Sequence, residues 1–355
     1  MNFRLFALLS TLLFSQCVFA IRVILIIPDE EGAAFWDLVY QASSASAKSL
    51  GVSLDVIYGG DNRFTTLDII EEVLAQPAKP DYLIFRPYHG NTASVFDTIE
   101  ANGIDFVTLE QAFTDNETTE LLKPRQKYKH WIGEVAYDNV KGGALLLNTL
   151  LEEHRRRHPD IKPSITGIGG NFDFLSRTRE QVLTTLYRRK DVDLNQIFPT
   201  YWDPKNVAAN FETILKRYPE TNIFWCASGQ LTLKTWQQYQ LLSNNPVVIG
   251  GFDWLPDALL KIQQGELTAS VGGHFLMGAI AVVKIFDYQH AADRFSAHNT
   301  LYDFEVISKN NVNKYLDFVK NQRWKKVNFS QFSEFKVGKE PQILNMQNII
   351  NSLNE

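Results

Sequence analysis

Short apolar runs alternate with helical patterns along most of the chain. Residues 21–28, IRVILIIP, form a continuous apolar run, which is typical of a strand buried in a parallel sheet. Residues 33–50 have helical periodicity, and Gly51 stops that helix. The pattern predicts further strands at Leu54–Tyr58, Tyr82–Arg86, Phe106–Leu109, Ser164–Gly169, Phe198–Trp202, Ile223–Ala227 and Val247–Phe252. It predicts further helices near Thr66–Ala75, Thr92–Ala101, Arg177–Arg189, Asn206–Tyr218 and Leu231–Leu242.

This alternation occurs twice, because it restarts after residues 130–135 and divides near Tyr137-Asp138-Asn139. Strands and helices in this order favour parallel sheets covered by helices on both faces. The sequence therefore predicts an α/β protein with two doubly wound parallel-sheet lobes. Open α/β sheets bind ligands at the carboxyl ends of their strands, so two facing lobes would form a cleft. A hinge between the lobes would let that cleft close on a small molecule.

The first twenty residues have the pattern of a secretory signal peptide. Arg4 supplies a positive charge, residues 5–14 form a short apolar core, and Val18-Phe19-Ala20 offers small residues for cleavage. The apolar core is too short to span a bilayer, and no later segment has the length or apolarity of a membrane span. We expect a mature chain beginning near Ile21 in the periplasm, not embedded in the membrane. This location excludes a DNA-bound repressor.

Composition narrows the function further. The net charge of −5 gives no reason to expect binding to nucleic acid. After signal cleavage Cys226 is the only cysteine, so no internal disulfide forms.

His154 and His158 lie one helical turn apart, but the three cations between them favour a solvated helix end over a metal site. No catalytic motif is present, so we predict a binding protein rather than an enzyme, with no metal and no cofactor.

Five motifs in order resemble the type I periplasmic sugar-binding proteins, the ribose- and galactose-binding group. They are Phe35-Trp36 with residues 42–51, Tyr137-Asp138-Asn139 with Gly142-Gly143, residues 176–179, residues 248–253 with Pro256-Asp257, and residues 264–271. The chain also resembles the autoinducer-2 receptors that partner a membrane sensor kinase. That second resemblance rests on residues 81–85, 224–228 and 302–306.

The resemblance implies the type I periplasmic binding protein fold, in which a three-strand hinge joins the two lobes. It implies an N-terminal lobe of residues 21–136 plus 275–303 and a C-terminal lobe of residues 137–274 plus 304–330. Residues 1–20 would be the signal peptide and residues 331–355 a C-terminal extension. Residues 314–326, KYLDFVKNQRWKK, are either an amphipathic helix packed on a lobe or a docking face for a membrane partner.

Sugar recognition requires aromatic faces for the C–H groups of the ring and polar groups for its hydroxyls. The resemblance implies that Phe35 and Trp36 clamp a ring against Trp202, which we predict to end a strand of the second lobe. The alternative role for all three is core packing. Arg179 matches the ligand-binding arginine of the family, and its alternative is a solvated helix charge. Asp253 could accept from two hydroxyls or cap the helix that begins near Pro256.

Four residues at three sites depart from the ribose-type pattern. Arg86 and Ser228 each replace an asparagine, and Glu110-Gln111 replaces an Asp-Arg pair. A charged Arg86 would be costly to bury unpaired, so it either pairs with Glu110 or meets an acidic sugar. The autoinducer-2 receptors have no acid at the position of Asp253, which favours a sugar-like ligand. His274 is a further candidate contact from the second lobe.

These observations predict a monomeric periplasmic solute-binding protein. Its ligand is a sugar or sugar-like small molecule, which it captures by lobe closure and presents to an ABC permease. The alternative is a periplasmic signal receptor that partners a membrane sensor protein, either a kinase or a cyclic-dinucleotide enzyme. The receptor-like motifs and the long C-terminal region favour the signalling alternative.

Overall fold

The computed structural model describes residues 21–110, 113, 115–291, 301–338 and 341–353. The predicted signal peptide and Gln111 lie outside the described residues. The first series of elements is β1 Arg22–Ile27, α1 Ala34–Leu50, β2 Ser53–Tyr58, α2 Arg63–Leu74, β3 Tyr82–Phe85, α3 Thr92–Ala101, β4 Asp105–Leu109, α4 Asp115–Leu121 and β5 Trp131–Val135. The five strands form one parallel sheet in the order β2-β1-β3-β4-β5. This is the predicted N-terminal lobe sheet.

The second series is α5 Asn139–Arg157, β6 Ser164–Gly169, α6 Phe174–Thr184, β7 Asp193–Pro199, α7 Pro204–Arg217, β8 Ile223–Cys226, α8 Gly229–Leu242, β9 Val248–Phe252, α9 Pro256–Gln264 and β10 Ala269–Gly272. The remaining elements are α10 Met277–Ala291, β11 Glu305–Ser308, α11 Val312–Lys320, α12 Glu334–Val337 and α13 Met346–Ser352. The second sheet has the order β11-β10-β9-β8-β6-β7, and only β11 is antiparallel to its neighbour. The prediction of an α/β protein with two parallel-sheet lobes is confirmed.

Local chemistry explains where several helices begin and end. Helix α1 ends because Gly51 adopts the left-handed conformation and its N–H donates to the carbonyl of Ala47. Asp138 and Asp173 cap α5 and α6, and each side chain accepts a hydrogen bond from a backbone N–H of its helix. Pro204 at the start of α7 follows the capping Asp203. The capped N-termini of α6 and α7 follow the carboxyl ends of β6 and β7 in the chain.

Three chain segments cross between the lobes and contact one another. The N–H of Tyr302 donates to the carbonyl of Ala136, and the N–H of Asp138 donates to the carbonyl of Tyr302, both at 2.9 Å. The Tyr137 hydroxyl donates to the carbonyl of Gly273 on the third crossing segment, at 3.2 Å. Because few hydrogen bonds tie these crossings, they can act as a hinge while each sheet stays intact.

The C-terminal segment packs on both lobes. Helix α11 lies against α9 and β11, and its Tyr315 and Phe318 are buried. Trp324 follows α11, is fully buried, and donates through Nε1 to the Gln41 side chain of α1 at 3.2 Å. The aromatic side chains that could have formed a docking face within residues 314–326 are therefore used in internal packing. Among the described residues, no helix has the length and apolarity needed to cross a membrane.

Glu134 on β5 makes the stability of the folded protein depend on pH. Burial raises the pKa of this carboxyl from 4.5 to about 8. The folded protein therefore keeps a proton that the unfolded chain loses, and the free energy of unfolding falls as pH rises from about 4.5 to about 8. We expect Glu134→Gln to remove this part of the pH dependence and to stabilise the protein at pH 8. Urea unfolding at pH 5 and pH 8.5 measures both effects.

Glu152→Gln, on the exposed face of α5, is the matched control and should leave the pH dependence unchanged. Equal slopes of stability against pH in the wild type and in Glu134→Gln would contradict the assignment.

Candidate functional site

A cavity of about 350 Å³ lies between the two lobes at the carboxyl ends of their strands. The structure brings all nine predicted site residues to its walls: Phe35, Trp36, Arg86, Glu110, Arg179, Trp202, Ser228, Asp253 and His274. Arg86 and Glu110 follow β3 and β4, while Ser228 and Asp253 follow β8 and β9. The sheet topology therefore explains the convergence, because neighbouring parallel strands end at the same edge of a sheet.

Aromatic rings face the cavity from both lobes. Phe35 and Trp36 lie in the first turn of α1, with an edge-to-face contact of 5.3 Å between ring centroids. Trp202 comes from the opposite lobe. The prediction that Trp202 ends a strand is wrong: β7 stops at Pro199, and Trp202 lies in the following turn with a φ of 63°. Its indole packs against Gly170, where an added Cβ would lie 2.3 Å from the ring.

Arg86 forms an ion pair within its own lobe and another across the cleft. Its Nε lies 2.6 Å from Oε2 of Glu110, and its Nη2 lies 3.4 Å from Oδ2 of Asp173 in the C-terminal lobe. Burial disfavours the charged guanidinium, but Glu110, Tyr88 and Asp173 together outweigh that effect and the pKa of Arg86 is raised. Of the two partners that the sequence left open for Arg86, the structure contains the internal one, Glu110.

The Arg86–Asp173 contact links the lobes and can favour the closed form. Asp173→Asn keeps the cap of α6, because the side-chain oxygen still accepts from the N–H of Ser176, but it removes the charge. A partly exposed pair of this kind is worth about 0.5–1 kcal/mol. We therefore expect the ligand-free variant to be more open, with a larger radius of gyration in X-ray scattering.

Asp203→Asn is the matched control for Asp173→Asn, because Asp203 caps α7 in the same lobe through a 2.8 Å bond from the N–H of Lys205. Equal scattering by the Asp173→Asn variant and by this control would remove the proposed link between the lobes.

Arg179 is buried at the base of the cavity and fixed by hydrogen bonds. Its Nε and Nη2 donate to Oδ1 of Asn139 at 3.0 and 2.9 Å, and its Nη1 donates to the carbonyl of Ala227 at 2.8 Å. The guanidinium also lies 4.3 Å from the ring centroid of Phe252. Burial lowers the pKa of Arg179, although nearby carboxylates, chiefly Asp253, oppose that effect. Arg179 is therefore not a solvated helix charge. Two of its five N–H groups remain for a ligand.

Asp253 and His274 form a buried polar pair. Oδ2 of Asp253 accepts from the N–H of Gly229 at 2.7 Å, and Oδ1 lies 3.4 Å from Nε2 of His274. Asp253 does not cap α9, whose N-cap is Leu255. Its φ of 83° is strained for a residue other than glycine, and such strain occurs preferentially at functional sites. The His274 ring stacks on Phe35 with centroids 4.5 Å apart.

Ser228 caps α8, because its Oγ accepts from the N–H of Leu231 at 3.3 Å. The cavity also contains polar residues that the sequence analysis did not identify: Asp29, Asp61, Tyr88, Tyr201 and Gln230. Most of these residues follow shortly after a strand, and this position in the sequence could have identified them as candidates. Asp29 comes two residues after β1, and Asp61 comes three residues after β2.

Two lobes, a hinge and a cavity lined from both sides define a binding protein that can close around a small solute. The chain belongs to the family of the periplasmic binding protein domain, whose sequence profile matches residues 23–287. This is a family of binding proteins, in agreement with the prediction that the chain is not an enzyme. No curated protein matches the sequence.

Solved structures share the fold over nearly the whole chain. A periplasmic sugar-binding protein from Pseudomonas fluorescens has a TM-score of 0.78 and 22% identity, over 90% of this chain and 95% of that one. A periplasmic solute-binding protein of an ABC transporter from Actinobacillus succinogenes, with bound D-allose, has a TM-score of 0.69 and 17% identity, over 82% and 99%. A carbohydrate transporter from Acidothermus cellulolyticus, in complex with myo-inositol, has a TM-score of 0.68 and 15% identity, over 85% and 99%. The type I periplasmic binding protein fold is thereby confirmed. These matches do not show the resemblance to autoinducer-2 receptors.

Proposed function

We propose that this protein is a periplasmic solute-binding protein that captures a sugar or sugar-like molecule by lobe closure. The observation that carries the proposal is the cavity between the lobes, where aromatic rings from both sides meet buried charged groups. Aromatic faces cover the apolar C–H faces of a sugar ring, and charged groups satisfy its hydroxyls. The structural neighbours with D-allose and myo-inositol support the same ligand class.

Each side chain has a distinct part in this proposal. Phe35, Trp36 and Trp202 desolvate the two faces of the ring. Arg179 donates its two remaining N–H groups to ring hydroxyls, and Asp253 accepts from hydroxyls. Arg86 and Glu110 form the wall beside Arg179, and Ser228 and His274 complete the lining. Because residues from both lobes contact one ligand, binding favours the closed form.

The partner in this proposal is a membrane permease of an ABC transporter, which recognises the surface formed when a monomer closes. The family and the transporter neighbour support this partner.

We also propose that the protein is secreted into the periplasm and that residues 1–20 are cleaved off. Fractionation of cells that express the full chain tests it, and a mature protein that begins near Ile21 in the periplasmic fraction is the expected result.

Ligand binding is tested by a thermal-shift screen of residues 21–355 against neutral, amino and acidic sugars, followed by calorimetric titration. A ligand that binds only the folded state adds about 2.7 kcal/mol of stability at 100 times its Kd. We expect at least one sugar class to raise the unfolding midpoint. A screen in which no sugar of any class raises it would overturn the proposed function.

A further inference from the structure

The charged side chains that line the cavity are unbalanced. Four carboxylates, those of Asp29, Asp61, Glu110 and Asp253, face only two guanidinium groups. Arg86 is already in contact with Glu110 and Asp173, and Arg179 is bound to Asn139 and the carbonyl of Ala227. Neither cation forms an ion pair with Asp29 or Asp61. The excess negative charge therefore lies on one wall of the N-terminal lobe.

Asp29 and Asp61 come together because β1 and β2 are neighbouring parallel strands, with Ile27 paired to Tyr58 at their carboxyl ends. Oδ1 of Asp29 accepts from the N–H of Glu30, and Oδ1 of Asp61 accepts from the side chains of Asn62 and Thr65. Within the described part of the chain, Oδ2 of each carboxylate accepts no hydrogen bond from protein. Burial raises the pKa of Asp29, and the carboxylates of Glu30 and Asp61 raise it further.

His274, on another part of the cavity wall, carries a second and independent unpartnered acceptor. Its side chain is only 4% exposed, and Nε2 faces Oδ1 of Asp253 at 3.4 Å. Nδ1 is buried and has no hydrogen-bond partner among the described residues. With the proton on Nε2, beside the carboxylate, Nδ1 is an acceptor, and a buried acceptor without a donor is costly. N–H and O–H groups of a ligand would satisfy the carboxylates of Asp29 and Asp61, and a donor that reached the covered Nδ1 of His274 would satisfy that atom as well.

We propose that the ligand carries a positively charged amino group on a sugar-like ring, and that Asp29 and Asp61 hold this group. This inference rests on the proposed function and names its ligand class. An ammonium group supplies three N–H donors and a charge that compensates the two carboxylates. An acidic sugar meets repulsion at this wall, since Arg86 already pairs with Glu110 and Asp173 and neither arginine pairs with Asp29 or Asp61. A neutral sugar leaves the two carboxylates without a cation.

The test compares matched ligands by calorimetric titration of residues 21–355. The probes are glucose and galactose, their 2-amino derivatives, the N-acetylated amino sugars, and glucuronate. We expect an amino sugar to bind at least tenfold more tightly than its parent sugar, and acetylation, which removes the charge, to abolish that advantage. A parent sugar that binds as tightly as its amino derivative overturns this inference and leaves the proposed function intact. Binding of none of these sugars counts against both.

Variants locate the charged contact. Asp29→Asn and Asp61→Asn keep the shape of each side chain and remove one charge, so each should reduce the preference for the amino sugar by at least threefold. The double variant should bind the amino sugar and its parent equally. Glu31→Gln is the control, because Glu31 is exposed on the same loop and does not line the cavity. An undiminished preference in the double variant would overturn the assignment to Asp29 and Asp61.

Discussion

Arg179→Met is expected to weaken ligand binding at least tenfold and to lower the free energy of unfolding by about 3 kcal/mol. The methionine fills part of the volume but donates no hydrogen bond. Oδ1 of Asn139 and the carbonyl of Ala227, which now accept from Arg179, would remain buried without donors. The ligand would also lose the remaining N–H groups, so affinity should fall by at least tenfold, about 1.4 kcal/mol. Calorimetric titration and urea unfolding measure the two effects.

Arg177→Met provides the matched control, since Arg177 lies two residues earlier in α6 and is exposed. Arg177→Met makes the same chemical change at an exposed position, so the free energy of unfolding and the ligand affinity should both stay near the wild-type values. Arg179→Lys keeps the charge but not the planar fork, and it should recover part of the stability without full affinity. If Arg179→Met bound ligand like the wild type, Arg179 would be a structural residue only.

Gly143→Ala should destabilise the protein by about 3 kcal/mol or more, beyond the usual cost of overpacking. A Cβ at Gly143 would lie 2.0 Å from the backbone carbonyl oxygen of Arg179. Helices α5 and α6 would have to separate, because a backbone atom cannot rotate away as a side chain can. The same displacement moves Arg179 away from Asn139, so we expect binding to weaken as well. Thermal unfolding and titration with the sugar found in the screen test both effects.

Asn148→Ala controls for the effect of alanine on helix α5, because Asn148 is exposed on the same helix. Alanine has the higher helix propensity, so this variant should gain a few tenths of a kcal/mol. A Gly143→Ala protein as stable as the wild type would mean that the close approach of α5 to α6 at Gly143 and the carbonyl of Arg179 is not required for stability.

Several site residues could be predicted from sequence because they follow strands. Arg86, Glu110 and Asp253 each come directly after an apolar run, and parallel strands deliver such residues to one edge. Trp202 was predicted for the wrong reason, since the turn after β7 rather than the strand presents it. The helical pattern predicts a start of α6 near Arg177, whereas the helix begins at Phe174 after the capping Asp173.

Asp61 was missed because it lies in a polar loop three residues past β2. Asp29 directly follows the apolar run of residues 21–28 but belongs to none of the five motifs. Their meeting depends on the pairing of β1 with β2, which is a property of the sheet order. The role of Asp173 was also not visible in sequence, because its contact with Arg86 crosses the cleft between lobes.

By itself the sequence determined the local alternation of strands and helices, the two-lobed division and the positions of most cavity residues. These properties follow from periodicity and short-range chemistry, which neighbouring residues specify. Only the tertiary structure decided the partners of the two arginines: Arg86 pairs with Glu110 and Asp173, whereas Arg179 donates to the uncharged oxygens of Asn139 and Ala227. Ion pairing depends on distances of a few ångströms between residues far apart in the chain, and sequence spacing does not encode those distances.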